Sequence, residues 1–147
     1  MSEIHITREY PQPIETVWRA LTDPAIVPRW TATGAGGRPE GFQLVVGSTF
    51  RFVGKPKPGW NGIVNCQVLE VSAPSLLRYS WTDDGGADVT EVTYRLTPLS
   101  GGGTRFGYDH TGFTGIAGVF MAMLLGRVRR RMLDTGLPPV LDSLAAA

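Results

Sequence analysis

Between residues 42 and 111 the chain repeats one pattern: a short run rich in β-branched and aromatic residues, then a cluster of glycine, proline or aspartate. The runs are 42–46 (FQLVV), 48–53 (STFRFV), 61–71 (NGIVNCQVLEV), 75–82 (SLLRYSWT), 88–97 (DVTEVTYRLT) and 103–111 (GTRFGYDHT). Most separators, "GKPKPG", "SAP", "DDGGAD" and "PLSGGG", are turn chemistry. A parallel pair needs a crossover of about a dozen residues or more, so connections this short dictate an antiparallel meander.

What flanks the meander completes the architecture. Residues 3–10 alternate, with Ile4 and Ile6 against His5 and Thr7, as a strand with one buried face does. In "PQPIETVWRALTDP" the apolar residues Ile14, Val17, Trp18 and Leu21 recur at helical spacing behind an early Pro13. Asp23-Pro24 stops that helix and starts a short second one over Ile26 to Trp30. Residues 31–41 read as a glycine-rich loop. One long helix is predicted over 115–134, broken by "TGLPP", with a last turn or two in "PPVLDSL". The predicted fold is α+β: a seven-stranded curved antiparallel sheet wrapped around a long C-terminal helix, with two short helices after the first strand. The 147 residues fit one domain.

Several function classes fall away. A formal charge of +1 is too small for general nucleic-acid binding, which needs clustered phosphate-neutralising charge. Cys66 is the only cysteine, and His5 and His110 are the only histidines, so neither a disulfide framework nor a metal site is expected. The glycine clusters lack the strand-before, helix-after context of a dinucleotide loop, so no cofactor is expected. The charged N-terminus does not resemble a signal peptide, and a cytoplasmic location is expected. The apolar segment Gly115–Gly126 is well short of the roughly 20 residues a spanning helix needs, so stable membrane insertion is not expected.

Four phrases, in this order, resemble the START-like (SRPBCC, Bet v 1-like) superfamily with the helix-grip fold. They are "ITREYPQPIETVWRALTDP…W" (6–30), "GSTFRF" (47–52), "VLEVSAPSLLRYSW" (68–81) and "GGGTRFGYDHTGF" (101–113). Within it the chain is most similar to the family homologous to the activator of the large heat-shock-protein ATPase. The resemblance implies a cavity between the long helix and the sheet. It leaves function open, because the superfamily includes lipid carriers, hormone sensors, polyketide cyclases and co-chaperone domains.

Strand alternation nominates the wall of that cavity: Phe50, Phe52, Tyr79, Trp81, Tyr94, Phe106, Tyr108 and His110. On the helix, Ala117, Phe120, Met121 and Leu124 continue the inward stripe, leaving Ile116, Val119 and Met123 for another surface. A folded-over loop, a homodimer partner through this helix, or a membrane-touching ligand entrance would cover them. Arg127 to Arg131 read as a solvated helix end favoured by the C-terminal dipole, with anionic headgroups as the alternative. His110 is the candidate catalytic residue, a polar group able to move a proton near neutral pH, although a buried structural histidine fits equally. Asp109 and His110 face opposite sides of a strand and do not form a dyad. The expected partner is a hydrophobic small molecule held by a carrier or sensor. The alternatives are a cyclase or aromatase using His110 and the cavity tyrosines, and a co-chaperone-like interaction domain.

Overall fold

The computed structural model describes residues 2–31, 38–56, 58, 61–83 and 88–146. The alternation at the N-terminus produces β1 (Ser2–Tyr10), with Ile4, Ile6 and Tyr10 buried and His5 and Thr7 exposed. α1 (Ile14–Thr22) buries Val17, Trp18 and Leu21, and α2 (Val27–Thr31) turns back on it. The Trp30 indole N–H donates to the Ala20 carbonyl at 2.8 Å and ties the two helices together.

The remaining strands are β2 (Arg38–Glu40), β3 (Thr49–Val53), β4 (Ile63–Ser72), β5 (Leu76–Asp83), β6 (Thr90–Pro98) and β7 (Thr104–Phe113). They form one curved sheet in the order β1-β7-β6-β5-β4-β3-β2, antiparallel throughout. The meander and the α+β class are as expected. One strand is not where composition placed it. Residues 42–46 bend away instead of pairing, and β2 takes the edge position from within the segment read as loop. The Ser48 hydroxyl closes a turn there, bonding the carbonyls of Gln43 and Val45. Phe42 still packs inward, 4.8 Å from the Phe50 ring, while Val45 and Val46 are exposed.

The C-terminal helix is also longer than predicted. α3 (Gly115–Arg131), a single π-helical turn (Met132–Gly136) and α4 (Leu137–Ala145) run on without a break. Proline ends a helix by lacking an N–H and by crowding the preceding turn. Here the wider π turn precedes Pro138 and Pro139, which occupy the first turn of α4, where an N–H is least needed. The Leu137 N–H reaches back to the Met132 carbonyl, and Pro138 has none for Leu133. The Tyr10 hydroxyl replaces it, donating to the buried Leu133 carbonyl at 2.8 Å.

α4 packs on α1 and α2, whereas α3 lies on β1 and β7. The buried positions of α3 are Gly118, Ala122 and Gly126, spaced by four residues. A Cβ at Gly118 would stand 3.0 Å from the Phe113 backbone, so the helix backbone itself is what touches the strand. This seam rotates α3 away from the expected inward stripe. Ala117 is exposed, and Phe120 is 65% exposed. Ile116, Val119 and Met123 share that outer face with Arg127, Arg130 and Arg131. Among the described residues no helix is long and apolar enough to cross a membrane.

Candidate functional site

The concave side of the sheet and the inner side of α3 enclose a cavity of about 440 Å3. Small-molecule sites typically occupy roughly 300–1000 Å3. The two-residue period of the strands sends Phe50 and Phe52, Tyr79 and Trp81, Tyr94, then Phe106 and Tyr108 into its wall. Their rings touch in series at 5.4–5.7 Å from Phe50 through Tyr79 and Tyr94 to Phe106, mostly edge to face. Such contacts fix ring orientation as well as burying area. Leu21, Val27 and Trp30 close one end, and Met121, Leu124, Leu125 and Val128 of α3 close the long side.

Nine of the eleven residues nominated from sequence therefore line the cavity. Phe120 does not, because the glycine seam turns it to the outer face. His110 does not either. It is fully buried in the layer beside the cavity, 5.5 Å from the Trp81 ring and 4.5 Å from that of Phe113. Its Nε2 lies 2.7 Å from Thr90 Oγ1, and the Thr90 hydroxyl reaches the Trp81 carbonyl at 3.1 Å. A hydroxyl has one proton to give. If Thr90 gives it to Trp81, the histidine must be the donor, with its proton on Nε2 and a bare lone pair on the unpartnered Nδ1. Burial in this apolar layer, with the Arg129 cation nearby, pushes His110 down to about 3. It is neutral at physiological pH, which leaves it poorly suited to shuttle protons.

The polar part of the wall is small and specific. Tyr79 and Tyr94 share a hydrogen bond between their hydroxyls at 3.1 Å. Burial pushes both phenols well above their ordinary ionisation range, so both are neutral donors. Arg129 enters from α3, its Nε donating to the Tyr108 hydroxyl at 2.8 Å and its Nη1 3.5 Å from the Met132 sulfur. Its guanidinium carbon sits 4.9 Å from the centre of the Trp81 ring, a cation–π distance. Asp83 is a carboxylate in the lining, at the far end of β5, and Arg129 makes no ion pair with it or with any other described residue.

Sequence reasoning missed Arg129 by treating the arginine run as one solvated block. Its spacing held the signal: it stands four residues after Leu125 and three before Met132, on one helix face, and both of those line the cavity. Arg127, Arg130 and Arg131 are exposed as expected. Outside the cavity, Asp109 pairs with His5 at 2.5 Å on the outer surface of β1 and β7, facing away from His110. Cys66 is buried, and that burial raises its thiol far above the reactive range. Among the described residues no three His, Cys, Asp or Glu side chains gather to hold a metal ion.

Residues 11–146 match the family model described as "Activator of Hsp90 ATPase homolog 1-like protein". The chain belongs to this family. No curated protein matches it. Among solved structures, protein MLL2253 from Mesorhizobium loti is similar over 99% of this chain and 97% of its own, with 23% identity and a TM-score of 0.77. PFC0360w, an HSP90 activator from Plasmodium falciparum, is similar over 99% and 97%, with 20% identity and a TM-score of 0.71. DynU16, a protein of the dynemicin biosynthetic locus, matches 94% of this chain but only 49% of its own, at 23% identity and a TM-score of 0.67. At these identities the solved structures establish the shared fold. Family membership and the observed sheet and helix together confirm the START-like, helix-grip resemblance.

Proposed function

We propose that the protein binds an apolar or aromatic small molecule, such as a lipid or polyketide, in the cavity beneath α3, as a cytoplasmic carrier or sensor. The observation that carries this reading is the cavity itself: about 440 Å3 of space walled by aromatic and aliphatic side chains, with a few polar groups. A protein interior packed to ordinary density leaves few voids larger than a water molecule. The residues proposed to contact the ligand are Phe50, Phe52, Tyr79, Trp81, Tyr94, Phe106 and Tyr108, with Met121 and Leu124 at the helix side. Fluorescence of N-phenyl-1-naphthylamine, an uncharged probe that brightens in apolar surroundings, tests the reading. Val128→Trp, which fills the cavity from α3, should abolish the signal while leaving circular dichroism unchanged. Absence of probe binding to the wild type, or equal binding to this variant, would count against it.

A second reading, a polyketide cyclase or aromatase, is favoured by the tyrosine and arginine donors in the wall, with DynU16 of the dynemicin locus among the similar folds. On that reading Tyr108 and Arg129 orient a carbonyl. The family description and the outer face of α3 favour a third, a co-chaperone-like contact with a heat-shock ATPase. Failure to change that ATPase's rate would remove it.

A further inference from the structure

Arg129 is the one cation among the described residues lining the cavity, and the proposed contents, as an apolar molecule, do not account for it. Leu125 and Met132 flank it on its helix face and both line the cavity. Its Nε is spent on Tyr108 and its Nη1 faces a thioether sulfur, a weak acceptor. Nη2 has no hydrogen-bond partner among the described residues, and no carboxylate there pairs with the guanidinium. A cation in apolar surroundings is costly unless paired. The face of Trp81 offsets part of that cost but offers no hydrogen-bond acceptor.

The neighbouring hydroxyls are arranged in the same sense. Tyr108 accepts from Arg129, which leaves its own O–H free to donate. Of the two O–H groups shared by Tyr79 and Tyr94, one is used between them and the other is left to donate. This pole of the cavity therefore presents a fixed positive charge and two spare O–H donors. The guanidinium fork suits a planar two-oxygen anion.

Building on the small-molecule reading, we propose that the ligand is an amphipathic anion: an apolar body in the aromatic part of the cavity, and a carboxylate or enolate-type oxygen pair held by Arg129 with the Tyr108 hydroxyl. The bland alternative, a guanidinium satisfied by Trp81, Tyr108 and water entering by the mouth, predicts no preference for anions.

Three ten-carbon probes separate the two: decanoate, 1-decanol and decylamine, each displacing N-phenyl-1-naphthylamine near neutral pH. Wild-type protein should hold decanoate at least about tenfold more tightly than decylamine, the scale of one charged hydrogen bond. Arg129→Met should reduce the decanoate-to-decanol affinity ratio by about tenfold or more, and Arg129→Lys should restore part of it. Equal displacement by decanoate and decylamine would overturn the proposal while leaving small-molecule binding intact, as would an unchanged ratio in Arg129→Met. If naphthylamine itself does not bind, the small-molecule reading fails and the anion proposal falls with it. The wild-type comparison needs no variant, so a poorly folding Arg129→Met leaves the proposal open to refutation.

Discussion

His110 and Thr90 face each other across β6 and β7 with 2.7 Å between Nε2 and Oγ1, in a fully buried layer whose burial keeps the imidazole neutral. Burial depresses the histidine from 6.5 to about 3. Between those values the unfolded chain binds a proton that the folded chain does not, so stability rises with pH across this window. It is fully present above about 6.5 and lost as pH falls toward about 3. Acidifying to the middle of that window should cost roughly 2–3 kcal/mol through this residue alone. Urea unfolding of His110→Phe should show that part of the acid sensitivity gone. Parallel pH profiles for variant and wild type would refute it. His5 works in the opposite direction, since its bond to Asp109 raises it, but it is exposed and its effect should be small.

The two outer glycines of the α3 seam should respond to alanine with opposite signs. At Gly126 an added Cβ meets only the mobile end of Arg130 at 2.9 Å and an ordinary contact with Ile4 at 4.0 Å. Gly126→Ala should therefore gain helix propensity, about 0.5–1 kcal/mol. At Gly118 the obstacle is the Phe113 backbone at 3.0 Å, which cannot step aside, and Gly118→Ala should lower the melting temperature. Thermal melts of the pair check this, and two shifts of the same sign would sink it.

Tyr10→Phe isolates the carbonyl that the π turn leaves behind. With Pro138 unable to donate, removing the Tyr10 hydroxyl strands the Leu133 oxygen in a buried place. The expected loss is about 1–3 kcal/mol in chemical denaturation, the cost of an unmet buried acceptor. A loss within error of zero would mean that water serves the carbonyl instead.

Alkaline titration reports on the wall directly. Burial raises Tyr10, Tyr79 and Tyr94 well above the ordinary phenol value. The ultraviolet phenolate signal of these three should appear only as the protein unfolds. The chain has four tyrosines, so a gradual rise amounting to more than one phenolate while circular dichroism stays native would contradict their burial.

Most of the fold was legible because two local rules carried it. Glycine, proline and aspartate clusters bounded most of the strands, and period-two alternation then assigned residues such as Tyr79 and Phe106 to a face. Both rules act over a few residues and need no knowledge of neighbours. They failed where a partner decides. Residues 42–46 have strand composition but no strand to pair with, while Arg38–Glu40 pairs despite its poor composition. The proline pair was read as a stop because proline normally is one, and a π turn ahead of it is a tertiary solution supported by Tyr10. Phe120 was misplaced because hydrophobic bulk is a poor guide to a helix docked through glycine. His110 has the right parity for the wall, yet it is buried beside Trp81 and outside the cavity lining; alternation gives a face, not a depth.

The seam of α3 also separates two duties that most helices combine. Gly118, Ala122 and Gly126 hold the helix to the sheet, while Met121 and Leu124 on a different side border the cavity. Side chains at the latter two positions can change in size or polarity without loosening the attachment. The size and polarity of that stretch of wall can therefore drift while the architecture stays fixed, and agreement of fold at low identity says little about how each cavity is lined.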